Sequence, residues 1–292
     1  MAQWTAADIP DQSGRTIVVT GANSGLGAVV ATELARAGAK VIVACRDTAK
    51  GQAAADAMPG ETDVRPLDLA DLTSVRAFAA GLPAIDVLIN NAGVMAIPLG
   101  RTAEGFELQI GTNHLGHFAL TGLVLDRVVD RVVTVSSGAH RMGRIDLADL
   151  NWERRRYQRW PAYGQSKLAN LLFTYELQRR LDAAGSSRRA FAAHPGYAAT
   201  NLQSHTASFQ DRVMAVTNRI VAQSAAMGAL PTLYAATQPG LPGGSFLGPD
   251  GFLEQRGYPK IVRSNGRSYD RTTAGGLWDL SEALTGVTYP VD

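Results

Sequence analysis

Residues 15–27 constrain this chain more than any other stretch. Arg15 to Thr20 reads Arg-Thr-Ile-Val-Val-Thr, a short β-branched run of the kind that forms a buried parallel strand. Gly21-Ala22-Asn23-Ser24-Gly25-Leu26-Gly27 follows at once, and a helical pattern then runs from Ala28 to Ala37 until Gly38 stops it. Strand, glycine turn and helix in that order are the context a dinucleotide-binding turn requires. The glycines let the backbone turn tightly and approach a pyrophosphate, and the helix N-terminus offers free N–H groups and a partial positive charge. Gly21, Asn23, Ser24, Gly25, Leu26 and Gly27 are therefore candidate cofactor contacts, in a Gly-x-x-x-Gly-x-Gly spacing. The alternative is an ordinary glycine turn between strand and helix.

The same alternation continues. Strands are expected at Lys40 to Ala44, Asp63 to Leu67, Asp86 to Asn90, Arg131 to Val135 and Arg189 to Ala193. Helices are expected at Thr48 to Met58, Leu72 to Ala80, Thr102 to about Asp126, Ser166 to Leu181, Ser224 to Thr237 and Leu277 to Leu284. Strands that alternate with helices argue an α/β fold, a doubly wound Rossmann domain with a mostly parallel sheet of about seven strands. No composition break or internal repeat divides the 292 residues, so one domain spans 1–292. Within it, 201–222 is weakly patterned and polar, a substrate lid or a surface helix, and 239–292 is a C-terminal extension.

Composition removes several classes of function. The net charge of +2 and the lack of a long basic run argue against nucleic-acid binding. Arg154-Arg155-Arg156, with Arg159 nearby, reads as a solvated loop or as a site for an acidic ligand. Cys45 is the sole cysteine, which rules out an intrachain disulfide and fits a reducing cytoplasm. No signal peptide and no apolar run of about 18 residues is present, so a soluble, cytoplasmic protein without a membrane anchor is expected. His114 and His117 stand three apart without a carboxylate or cysteine partner, which suggests core or site-lining residues; no metal site is expected.

In a sheet of this kind ligands bind beyond the carboxyl ends of the strands. Position 45, where an acid would meet the ribose 2′-hydroxyl of NAD, is not acidic, and Arg46 follows it; this favours NADP, with NAD as the alternative. Asp47 reads as the N-cap of the next helix. Asp68 and Leu69 follow the third strand, where Asp68 either meets the adenine amino group or shapes a turn. Asn91-Ala92-Gly93 follow the fourth, Ser136-Ser137 the fifth and His194-Pro195-Gly196 the sixth. Asn113 lies amid apolar residues and needs a partner, either local backbone or an ordered water with a part in proton traffic. Tyr163 and Lys167 are four apart, which on a helix puts them on one face. An ammonium beside a phenol favours the phenolate and lowers its pKa from near ~10.

Five motifs in order, Thr20-Gly21-x-x-x-Gly25-x-Gly27, Asn90-Asn91-Ala92-Gly93, Asn113, Ser137 and Tyr163-x-x-x-Lys167, make nearly the whole chain resemble the short-chain dehydrogenase/reductase family. Ser166-Lys167-Leu168-Ala169-Asn170, His194-Pro195-Gly196 and Leu277-Trp278-x-Leu280-Ser281 are similar to its retinol-dehydrogenase-like branch. The resemblance implies an NADP-preferring oxidoreductase that interconverts a carbonyl and an alcohol. In it Tyr163 is the general acid/base, and Lys167 binds the nicotinamide ribose and lowers the Tyr163 pKa. Ser137 holds the substrate oxygen, and Asn113 holds a water that links Lys167 to solvent. It further implies Arg46 at the 2′-phosphate, Asp68 at adenine, Asn91 to Gly93 along the adenosine ribose, and Pro195 and Thr200 at the nicotinamide amide. Relatives pair through two long helices, so a homodimer or homotetramer is implied. A catalytically silent dinucleotide sensor of the same fold is the rival reading.

Overall fold

The computed structural model describes residues 3–197 and 223–291. Thr200 and the expected lid at 201–222 lie outside the described residues.

Eight strands form one sheet in the order β3-β2-β1-β4-β5-β6-β7-β8. They are β1 (Thr16–Thr20), β2 (Lys40–Cys45), β3 (Thr62–Pro66), β4 (Ile85–Asn90), β5 (Val128–Val135), β6 (Arg189–Ala193), β7 (Phe246–Pro249) and β8 (Pro259–Ile261). All neighbouring strands pair parallel except β7 and β8, which form an antiparallel pair at one edge. The helices are α1 (Gly25–Arg36), α2 (Thr48–Ala55), α3 (Leu72–Ala80), α4 (Leu108–Ile110), α5 (Gly116–Val124), α6 (Arg159–Ala183), α7 (Ala225–Thr237) and α8 (Arg271–Thr285). The alternation of side chains along a strand divides the core. Ile17 and Val19 of β1 pack with Val30 and Leu34 of α1 and Leu233 of α7, whereas Val18 points to the opposite layer with Phe78, Phe118, Phe173 and Trp278.

Each expected strand is present, and the departures have local causes. No strand is expected from the sequence at β7 or β8, because β7 lies within the Gly- and Pro-rich run 239–257 and β8, just beyond it, is three residues long and opens on a proline. Pro249 and Pro259 face each other in the register of that edge pair, the place where a strand tolerates proline. The 239–292 extension thus supplies two strands of the sheet and helix α8. Helix α6 begins at Arg159 rather than Ser166, with Pro161 in its first turn, where the missing N–H costs no helical bond. That earlier start puts Tyr163 inside the helix and not at its entrance. The helix expected from Thr102 begins only at Leu108, where the buried Glu107 carboxylate accepts the N–H groups of Gln109 and Ile110. Between α4 and α5 lies a π-helical turn, Gly111–Leu115, closed by the Gly116 N–H on the Gly111 carbonyl. Asn113 stands in the middle of that turn.

Candidate active site

Every described residue singled out at a strand end lies on the carboxyl edge of the parallel strands, because right-handed crossovers bring all the β-to-α turns to one side. The glycine turn is packed against the loop after β4. The Gly21 N–H donates to Ala44 O at 2.7 Å, and the Asn91 side chain donates to Thr20 O at 2.8 Å. A Cβ at Gly27 would collide with Gly21 O and the Asn91 amide, so only glycine lets α1 approach this closely. Ser24 occupies the N-cap position of α1, yet its side chain makes no cap bond. Helices α2, α3, α7 and α8 are all capped, by Asp47, Asp71, Ser224 and Asp270. Among the described residues no side chain accepts from the N–H groups that open α1, around Gly25, Leu26 and Gly27, beside half-exposed Asn23. That donor set fits the pyrophosphate of a dinucleotide.

Around this turn the other cofactor candidates take their places. Arg46 is exposed and engages no acceptor among the described residues. Asp68 shapes a turn: its Oδ1 accepts the Ala70 N–H at 2.9 Å, which leaves Oδ2 for a ligand. Leu69 is buried, and its carbonyl lies against Gly116. The backbone N–H groups of Asn91 and Ala92 both donate to Thr20 Oγ1, each at 2.9 Å. Pro195 follows β6, its carbonyl accepting from Gln223 Nε2 at 2.5 Å.

Helix α6 and strand β5 bring the chemistry together. Ser136 points inward and donates to Lys167 O at 2.8 Å, a structural role. Ser137, one residue on and half-buried, accepts the Ala139 N–H at 3.2 Å and stands close enough to the Tyr163 phenol to act on its pKa. Lys167 Nζ lies 5.8 Å from the Tyr163 ring centroid, so the two do share one face. The Lys167 ammonium is 4 % exposed and donates to Val135 O at 3.1 Å. An ammonium has three hydrogens, so two are unused among the described residues, which suits ribose hydroxyls. A Cβ on Gly93 would stand 3.0 Å from Asn113 Oδ1 and 3.5 Å from Lys167 Nζ, which explains the glycine there. Trp160, one turn before Tyr163, meets its ring edge-on with centroids 6.3 Å apart.

Two expectations change. The protein's own groups do not lower the Tyr163 pKa; burial raises it to about 12, and the Ser137 hydrogen bond offsets only part of that. Burial likewise depresses Lys167 to about 8. Desolvation disfavours the charged form of both, and here it outweighs their mutual effect. The Asn113 side chain, for its part, does not bond to local backbone. Its Oδ1 accepts the Val94 N–H at 2.8 Å, and its Nδ2 donates to Val94 O and Ser166 Oγ, each at 2.9 Å. The side chain therefore clamps the loop after β4 to α6.

Sequence reasoning reads His117 as a core or site-lining residue and gives Thr20 and Ser166 no role of their own; all three hold this clamp in place. Thr20 directly precedes the glycine turn, which was the available signal. The arginine cluster divides. Arg154 and Arg156 are solvated, whereas Arg155 stacks 3.8 Å over the Trp152 ring and donates to Gln165 Oε1 at 2.6 Å, bracing the segment that leads into α6. Among the described residues no cluster of three metal-ligating side chains occurs, and no helix is long and apolar enough to cross a membrane.

A parallel sheet of this order, with a glycine turn at β1 and a Ser-Tyr-Lys group at β5 and α6, defines a class of dinucleotide-dependent enzyme. Residues 15–211 match the short chain dehydrogenase family model, and the chain belongs to the short-chain dehydrogenase/reductase family, NAD(P)-dependent oxidoreductases that act on CH–OH groups. It is 42 % identical to human retinol dehydrogenase 13, across 95 % of this chain and 86 % of that one. Human retinol dehydrogenase 12 is 40 % identical over 94 % of this chain and 88 % of its own. Among solved structures, an uncharacterized protein from Mycobacterium paratuberculosis is 58 % identical, with a TM-score of 0.87 over 99 % of this chain and 100 % of the other. A NAD(P) dependent gluconate 5-dehydrogenase from Beutenbergia cavernae, solved with NADP bound at low occupancy, is 28 % identical, with a TM-score of 0.58 over 77 % and 90 % of the two chains.

Proposed function

We propose that this protein is an NADP-preferring carbonyl reductase in which Tyr163 is the general acid. The observation that carries this reading is the convergence of Ser137, Tyr163 and the buried Lys167 beside Gly93, with hydrogens on Lys167 that no described protein group uses. When bound, NADPH supplies the hydride. Tyr163, held protonated by burial, gives its proton to the carbonyl oxygen. Ser137 donates a hydrogen bond to the same oxygen and steadies the charge that develops there. Lys167 holds the nicotinamide ribose and, as an ammonium below its pKa of about 8, keeps a positive charge beside the phenol as it loses its proton. Asn113 keeps Gly93, and with it the floor of the site, against Lys167 through its Val94 bonds. Arg46, exposed and unengaged, meets the 2′-phosphate, and Asp68 Oδ2 meets adenine.

The names of the relatives put retinal first on a panel of carbonyl substrates. The test is turnover of that panel with NADPH, by wild type and by Tyr163→Phe. The variant is expected to lose about 10²- to 10⁴-fold in kcat with an unchanged circular dichroism spectrum. Wild-type turnover by the variant removes Tyr163 from the reaction.

A further inference from the structure

One buried histidine joins the two halves of this site. His117, on α5, is 1 % exposed. Its Nδ1 lies 3.1 Å from the backbone carbonyl of Asn113, and its Nε2 lies 2.9 Å from Thr20 Oγ1. A carbonyl can only accept, so Nδ1 carries the hydrogen. The neutral ring then has only a lone pair at Nε2, so Thr20 must donate to it. Thr20 Oγ1 in turn accepts the N–H groups of Asn91 and Ala92, which uses both its lone pairs. The Asn91 N–H is shared with Ile89 O at 3.0 Å, and Thr20 Oγ1 lies a longer 3.4 Å from that carbonyl; with the shorter contact to His117 taken as the hydroxyl's bond, one tautomer satisfies the chain of four bonds. An imidazolium would point a second N–H at an oxygen whose lone pairs are already taken. Burial and the nearby Lys167 charge keep the ring neutral, with a pKa of about 3.

We infer that His117 is a positioning residue: as its Nδ1–H tautomer it ties the Asn113 carbonyl of the π-helical turn to the Thr20 hydroxyl, and so sets the loop after β4 and the Asn113 clamp in register with each other. Its two ring nitrogens serve two functions. The Nε2 arm fixes the Asn91-Ala92 backbone along the cofactor side. The Nδ1 arm fixes the π-turn whose Asn113 side chain grips Val94 and Ser166, on the reacting side.

Two substitutions separate the arms. His117→Gln can keep an acceptor near Thr20 but loses the donor to Asn113, and His117→Asn keeps a donor near Asn113 but loses the acceptor for Thr20. His117→Gln is expected to bind NADPH close to wild type and to lose kcat by roughly 5- to 150-fold; His117→Asn is expected to raise the NADPH Kd over a similar range with a smaller loss of kcat. Nitrogen-15 shifts of the histidine rings in the wild-type protein supply a readout that needs no substrate. They should show protonated Nδ1 and unprotonated Nε2 at neutral pH, with the signals assigned by their loss in a variant. An Nε2–H tautomer or an imidazolium overturns the inference, as do two variants that shift Kd and kcat together or not at all. The kcat arm rests on the reductase reading, whereas the tautomer and the Kd do not. Failure of Tyr163 as the acid would leave both of those intact.

Discussion

Two neighbouring parts of the carboxyl edge use their polar groups in opposite ways. On the β1/β4 side, Thr20, Asn91, Asn113 and His117 bond one another and the backbone. On the β5/α6 side, Ser137 stands beside the Tyr163 phenol, and the buried Lys167 ammonium has one acceptor among the described residues, Val135 O. A network turned inward on itself is a frame: it fixes geometry and spends most of its donors within the protein. An under-used group held in a buried place keeps its hydrogens for something that arrives. The difference teaches where substitution should remove chemistry and where it should loosen structure.

Tyr163→Phe gives the largest effect on the under-used side. Ser137→Ala should follow, lowering kcat by about 10²- to 10³-fold while cofactor affinity changes little. Steady-state kinetics check this, and a Ser137→Ala loss confined to cofactor binding would break the assigned contrast. Next is Arg46→Ala, which removes a charge-assisted contact and should cut the NADPH-over-NADH preference by about 10- to 150-fold, measured by calorimetry with both nucleotides.

The pH dependence sharpens the same contrast. Because the folded Lys167 pKa is depressed to about 8 from 10.5, the unfolded chain binds more protons between those values. Stability from this group therefore rises as pH increases from about 8 to 10.5. Lys167→Met should abolish that rise in denaturant titrations while it lowers turnover. Carbonyl reduction by the wild type should decline as pH passes about 8, since Lys167 loses its charge there while Tyr163, near 12, stays protonated.

The smallest expected effect compares two helix starts. Asp71 caps α3 by accepting the Thr73 N–H at 2.8 Å, and Asp71→Ala should cost about 1 kcal/mol of stability. Ser24 makes no cap bond at α1, so Ser24→Ala should stay within about 0.5 kcal/mol in the same thermal melts.

Much of the site was legible because its signals are local. The glycine turn, the Tyr163–Lys167 spacing and the capping role of Asp47 each involve residues within one turn or loop. Strand identity followed from β-branched runs, and the carboxyl edge followed from crossover handedness. The expectation failed where local signals compete. A Gly/Pro-rich composition concealed β7, shortness and a leading proline concealed β8, and an arginine-rich approach with Pro161 concealed the start of α6.

The sequence by itself determined the alternation of strands and helices, the family, and which edge of the sheet carries the chemistry. Period and order are properties of the chain. Only the tertiary structure decided that Ser136 faces inward and Ser137 faces Tyr163, that Asn113 clamps Val94, and that burial raises the phenol and lowers the ammonium. It alone joined His117 to Thr20, 97 residues apart, and Asn113 to Ser166, 53 apart. Hydrogen-bond partners and desolvation depend on what packs around a group, and packing brings together residues whose separation along the chain carries no local signal.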